Sequence, residues 1–195
     1  YCRRCRYRKN REGEALMILL MGPAGAGKSM QGHKFADEFG YAYISTGEVF
    51  RLLITGRRRA EMLEGKLLSD AETIHVLDKV LDIIDVKEQF ILDGFPRTAP
   101  QVTWMLGEMA AGRFEKPVVV HLNLSEEEIY TRLSLRGRPD DTDEAIKKRY
   151  ELYQDQTRPV LQQMIDAGIT VYEIDGAGTP LEVHERILAA LGISK

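Results

Sequence analysis

A chain of 195 residues with 44% hydrophobic and 29% charged residues is long and apolar enough to bury one sizeable core, which sets it apart from disordered or collagen-like sequences. Its net charge of −3 offers no general basic excess for gripping nucleic acid. No stretch approaches the roughly 18 to 20 apolar residues that cross a bilayer, and no apolar run of signal-peptide type follows the basic start, so no membrane or nucleic-acid partner is expected and the expected location is cytoplasmic.

Residues 1–16, YCRRCRYRKNREGEAL, hold six of the 27 Lys and Arg and two of the 30 Asp and Glu, which leaves 21 basic and 28 acidic residues and a net charge of −7 in the remainder. The segment is read as a basic N-terminal extension, expected to be disordered, ahead of a start at Met17. Cys2 and Cys5 form a C-x-x-C that alone fits half a zinc site, a redox pair or neither. A structural zinc wants four ligands, no second cysteine pair follows, and His33, His75, His121 and His184 lack a finger spacing. A half-ribbon cut from a longer chain is the alternative.

Beyond the extension, LMILLM (16–21) is an uninterrupted apolar run too short for a helix, followed by a Gly-rich turn and a helical pattern from Lys28 to Phe39. Further short buried runs are YAYI (41–44), QFILD (89–93), VVVHLNL (118–124) and ITVYEI (169–174). Helical patterns cover Asp70–Asp85, Pro100–Ala111, Glu126–Leu135, Asp143–Ala167 and Pro180–Leu191. Short all-apolar strands alternating with helices call for βαβ units and a parallel sheet covered on both faces. Ser125 and Thr142, each followed by carboxylates, mark helix starts. Aromatic residues at helical spacing, Trp104 among them, are read as core, and His33 as structural or exposed.

Three motifs carry chemistry. GPAGAGKS, Gly22 to Ser29, fits G-x-x-x-x-G-K-[ST] without mismatch between a strand and a helix. Its glycines let backbone N–H groups turn around phosphate oxygens, Lys28 can span the β- and γ-phosphates, and Ser29 would face Mg²⁺. Such a loop identifies a phosphate donor and leaves the reaction open. LDGFPRTAPQ, Leu92 to Gln101, follows a strand, so Asp93 lies at a strand's carboxyl end where it can hold Mg²⁺ through water, with Arg97 leaving a tight turn. ISTGEVFR, Ile44 to Arg51, places a hydroxyl and Arg51 at the same end of the sheet. This second basic set implies a second phosphate-bearing ligand. In the charge-dense LRGRPDDTDE (135–144), Thr142, Asp143 and Glu144 start a helix, while Asp140 and Asp141 either orient the nearby arginines or latch a loop.

Taken in order with GKLLSD, RLSLRGRPDDTDEAIKKRYELY and a late DGAG, these motifs make the chain from Met17 onward closely resemble the adenylate kinase family. The resemblance implies an α/β, three-layer P-loop kinase fold: a parallel five-stranded sheet with helices on both faces, an NMP-binding segment at 46–70 and a short lid at 135–141. It implies an ATP:AMP phosphotransferase, reversibly giving two ADP, that works as a monomer with Mg²⁺ accompanying ATP and held by Ser29 and Asp93. ATP would be contacted by Gly25, Ala26, Gly27, Lys28, Ser29, Met30 and Arg136, with Arg132 along its base and Gly178 near the adenine. AMP would be contacted by Thr46, Arg51, Lys66, Leu67, Leu68, Gly94, Phe95, Pro96, Arg97 and Gln101, whose amide offers adenine a donor and an acceptor. Arg138 and Arg149 would reach the phosphates from the lid side. The implied catalytic set is Lys28, Arg97, Arg136, Arg138 and Arg149.

The sequence departs from the family pattern at Met30, where a threonine is usual, and at Glu48, where aspartate is usual. The stretch from Arg51 to Gly65 is shorter by more than a helical turn. A UMP/CMP-type kinase is the nearest alternative, disfavoured by Thr46 and Gln101. The other is a non-catalytic nucleotide-binding module docking through its basic extension.

Overall fold

The structure, a computed structural model, describes residues 17–63, 68–84 and 89–193. All five apolar runs are strands: β1 (Met17–Met21), β2 (Ala42–Ser45), β3 (Phe90–Asp93), β4 (Val118–Asn123) and β5 (Thr170–Asp175). They pair in parallel in the order β2-β3-β1-β4-β5. Parallel neighbours need crossovers, and these are supplied by α1 (Lys28–Phe39), α2 (Thr46–Leu53), α3 (Gly56–Leu63), α4 (Asp70–Ile83), α5 (Ala99–Ala110), α6 (Glu126–Arg136), α7 (Asp143–Leu152) and α8 (Val160–Asp166), while α9 (Pro180–Ala190) follows the last strand.

Both faces of the sheet are covered, which is why its strands read as continuous apolar runs. Met17, Leu19 and Met21 pack with Phe90 and Leu92 against Leu77, Leu81, Val102, Met105 and Met164 from α4, α5 and α8. Ile18, Leu20, Ile91 and Val120 face the other way, onto Phe35 of α1 and Val183, Ile187 and Leu188 of α9. The period of two along β1 thus divides its side chains between two core layers. A smaller cluster of Ile129, Leu133 and Ile146 joins α6 to α7 and rests on Ala24 of the Gly-rich loop.

The expected helix Asp143–Ala167 is corrected to three pieces. After α7 the chain makes a π-turn over Tyr153–Thr157, closed by the Arg158 N–H to the Tyr153 carbonyl at 2.8 Å, and α8 begins only after Pro159. Proline has no N–H, and its ring crowds the carbonyl four residues back, so the regular ladder cannot run through it. In the shortened stretch after Arg51, the end of α2 is followed by α3, a helix the sequence patterning did not mark. The strand order leaves β2 and β3 on one side of β1 and β4 and β5 on the other. The chain therefore changes direction beside β1, the place where open parallel sheets bind ligands outside their carboxyl ends.

Leu19 is fully buried in the central strand, so Leu19→Ala is expected to lower unfolding free energy by about 2–5 kcal/mol in urea titration, through lost transfer energy plus a cavity.

Candidate active site

A cleft of about 650 Å³ opens at the carboxyl ends of β1 and β3. Its walls bring together Gly25–Met30, Arg51, Leu68, Gly94, Arg97, Gln101, Arg132, Arg136, Arg138, Arg149 and Gly178, which the sequence scatters over more than 150 positions.

The Gly-rich loop leaves β1 through Gly22, at φ +135°, where a β-carbon would lie 2.4 Å from the Leu122 carbonyl oxygen. Only glycine passes so close to β4 in that conformation. The loop ends at Gly27, which leads into α1 with Lys28 and Ser29 in its first turn, so the positive end of the helix faces the cleft. Lys28 Nζ donates to the carbonyls of Gly22 and Pro23 at 2.8 and 2.7 Å. Burial pushes its pKa down to about 8; Asp93 opposes that shift, while Arg97 and Arg136 add to it.

Asp93 ends β3 and is buried. Its Oδ2 accepts from Ser29 Oγ and from Tyr43 Oη, each at 2.8 Å. Burial, reinforced by the Asp93 charge, raises the Tyr43 pKa, so the phenol stays a donor. Among the described residues no group of three or more His, Cys, Asp or Glu gathers as a self-sufficient metal site. The Ser29–Asp93 pair instead sets a hydroxyl and a carboxylate beside the phosphate loop, and such hard oxygen donors suit a cation that also takes phosphate and water ligands.

The arginines are aimed by two aspartates. Arg136 forms a bidentate pair with Asp141, at 2.7 Å from Nε and 2.6 Å from Nη2. Arg149 reaches Asp141 at 2.9 Å and Asp140 at 3.1 Å, and also donates to the Asp140 carbonyl. Asp140 and Asp141 therefore orient arginines, which decides what the sequence left open. Arg138, by contrast, has no carboxylate within ion-pair reach among the described residues; its pKa is lowered by burial and by Arg136 and Arg51. Gly137, at φ +65°, ends α6 and turns the chain into the loop that carries Arg138.

Opposite, Arg97 Nε donates to the Gly94 carbonyl at 2.6 Å, and its pKa is lowered by burial first and by Arg51 and Arg149 next. Thr46 Oγ1 donates towards the Asp93 and Gly94 carbonyls at 3.2 and 3.0 Å, which ties the start of α2 to the end of β3. Gln101 is buried at the cleft wall. Arg132 lies on the far side, donating to Glu128 and to the Gly176 carbonyl at 3.0 Å.

The sequence that builds this site has known relatives. Residues 20–168 match the family model described as Adenylate kinase. Proteins named Adenylate kinase are 39% identical in Mycobacterium sp. (strain MCS), 37% in Mycolicibacterium smegmatis and 36% in Stenotrophomonas maltophilia; each match covers 90 or 91% of this chain and 99% of the relative. The chain belongs to the adenylate kinase family.

Against that family's motifs, three implied contacts among the described residues sit away from the cleft wall: Thr46 is buried with its hydroxyl on the Asp93 and Gly94 carbonyls, and Phe95 and Pro96 lie elsewhere. Phe95 is buried edge-on against Trp104 with ring centroids 5.7 Å apart, and Pro96 lines a smaller adjoining cavity with Leu152 and Tyr153. Lys66 and Leu67 lie outside the described residues, as do residues 1–16 with Cys2 and Cys5. Met30 lines the cleft and is largely exposed, and Glu48 sits 3.6 Å from His33. Tyr43 was missed by sequence reasoning because an aromatic in a strand reads as core; its only local signal is a hydroxyl two residues before the strand's end. Among the described residues no helix is long and apolar enough to cross a membrane.

Phosphate favours protonated Lys28, which in the free protein loses its proton near pH 8. Nucleoside triphosphate affinity is therefore expected to be flat below pH 8 and to fall by up to about tenfold per unit above it, with proton uptake on binding. Calorimetry in two buffers of different ionisation enthalpy checks this, and Lys28→Met should abolish the uptake.

Proposed function

We propose that this cleft transfers the γ-phosphoryl group of ATP to AMP, reversibly, giving two ADP. The observation that carries the reading is that two cationic sets line one cavity: the phosphate loop with Lys28 and Arg136, and Arg51 with Arg97. A single nucleotide needs only one of them.

On the donor side, the backbone of Gly25, Ala26, Gly27, Lys28, Ser29 and Met30 cradles the ATP phosphates. Arg132 and Gly178 flank the adenine. On the acceptor side, Arg51 and Arg97 hold the AMP phosphate, and Thr46, Lys66, Leu67, Leu68 and Gly94 shape its seat together with the Phe95–Pro96 turn. Gln101 addresses the base. Ser29 and Asp93 would hold Mg²⁺ on the ATP phosphates, where the ion supplies further charge neutralisation.

In the reaction the bond between the γ-phosphorus and its bridging oxygen to the β-phosphate breaks, and one forms to an AMP phosphate oxygen. No protein atom becomes bonded to phosphorus. Catalysis rests on alignment and on neutralising two anions brought together. Lys28, Arg97, Arg136, Arg138 and Arg149 do this, and the planar guanidinium fork suits phosphate oxygens better than an ammonium. Arg138 and Arg149 lie on the lid side, on and after the loop at Gly137. Closure of that loop over both nucleotides removes water, the competing acceptor. Family resemblance implies a monomer, and a cytoplasmic setting suits the substrates.

In a coupled ADP-release assay, AMP should be turned over well above CMP and UMP. CMP turnover exceeding that of AMP would identify a UMP/CMP-type kinase, and ATP binding without transfer to any monophosphate would identify a non-catalytic module. In single turnover, Arg138→Lys should slow transfer by at least about 10²-fold while each nucleotide alone binds within about threefold of wild type.

A further inference from the structure

The acceptor half of the cleft contains one side chain whose orientation is dictated by donor and acceptor chemistry alone. Gln101 Oε1 accepts from the Arg97 backbone N–H at 2.8 Å, and its Nε2 donates to Asp70 Oδ1, also at 2.8 Å. A peptide N–H can only donate and an ionised carboxylate can only accept, so a flipped amide would face a mismatch at both ends. Asp70 is itself anchored. It is the first residue of α4, directly after the Ser69 cap, and its Oδ1 also accepts from Thr98 Oγ1 at 2.6 Å.

An amide offers two donor and two acceptor positions. Asp70 and Arg97 use one of each, which leaves one N–H on Nε2 and one lone pair on Oε1 uncommitted, on a residue that lines the cleft. That pair, in that order, meets a purine edge carrying an amino donor at C6 beside an acceptor N1. In the same ring pose a 6-oxo purine presents the reverse, a carbonyl acceptor beside an N1–H. With Asp70 gone, only the Arg97 N–H still holds Oε1, and a primary amide could flip at the cost of that one hydrogen bond to serve the other edge.

We infer that Asp70 is a specificity-determining positioning residue: by holding Nε2 of Gln101 it locks the amide and selects a 6-amino over a 6-oxo purine monophosphate as acceptor. This rests on the reading of Gln101 as the reader of the acceptor base.

The test compares kcat/KM for AMP and IMP in the full chain, with melting temperatures, for wild type, Asp70→Ala, Asp70→Asn and Gln101→Ala. Asp70→Ala should lower the AMP:IMP ratio about tenfold, mainly through KM for AMP, and Asp70→Asn, which keeps one acceptor of the same size, about threefold. A purely structural Asp70 would depress both substrates together and leave the ratio unmoved. A ratio within twofold of wild type in Asp70→Ala, while Gln101→Ala lowers it, overturns the lock alone. A ratio unmoved even in Gln101→Ala removes the base reading, and the lock with it. Should Asp70→Ala melt below the assay temperature, Asp70→Asn decides, and a wild-type ratio there overturns the proposal.

Discussion

The cleft is organised around mutual repulsion among its cations. Lys28, Arg51, Arg97, Arg136, Arg138 and Arg149 line one cavity, and like charges at such range in a partly desolvated space raise one another's cost. The effect is visible in the lowered pKa values of Lys28, Arg97 and Arg138, each with burial as the leading cause and neighbouring cations adding to it. Three carboxylates make the arrangement tolerable. Asp93 stands by the phosphate loop, while Asp140 and Asp141 hold Arg149 and Arg136. What remains is an uncompensated positive field that two phosphate-bearing ligands would neutralise together. Asp141 is held in turn, its carboxyl kept low by Arg136 and Arg149 despite burial.

The scaffold divides this charge between the sheet and the helices beside it. The floor belongs to the sheet, since β1 and β3 run side by side with Leu20 opposite Asp93 and deliver the phosphate loop and Asp93 to the same edge. Arg136 and Arg149 belong to α6 and α7, whose shared cluster of Ile129, Leu133 and Ile146 rests on Ala24 of the phosphate loop, and Arg138 sits on the loop between them. Below them the π-turn is pinned to the sheet. Tyr153 Oη and His121 Nε2 are 2.6 Å apart, and His121 Nδ1 is 2.6 Å from Glu173 on β5. Burial lowers the His121 pKa, with the Glu173 carboxylate opposing. The turn that replaces regular helix beside Pro159 thus gains a side-chain tie to the central sheet.

Legibility followed the range of the forces involved. Strand positions were readable because burial on both faces leaves an unbroken apolar run, and the phosphate loop because its glycines answer local backbone demands. The break at Pro159 was local as well, yet helical periodicity on either side concealed it. Tyr43 and Asp70 were hidden for a different reason. Tyr43 acts on an aspartate 50 positions away, and Asp70 on a glutamine 31 positions away, so neither has a neighbour in sequence that betrays its role.

From the sequence alone came the alternation of strand and helix, the order of the phosphate-binding motifs and the identity of the charged groups, all of which depend on spacing along the chain. Tertiary structure alone decided that Asp140 and Asp141 aim arginines, that Phe95 turns into the core against Trp104, and that the amide of Gln101 is held from both ends. Those outcomes depend on which side chains meet across the sheet's edge, a matter of a few ångströms that a one-dimensional pattern does not contain.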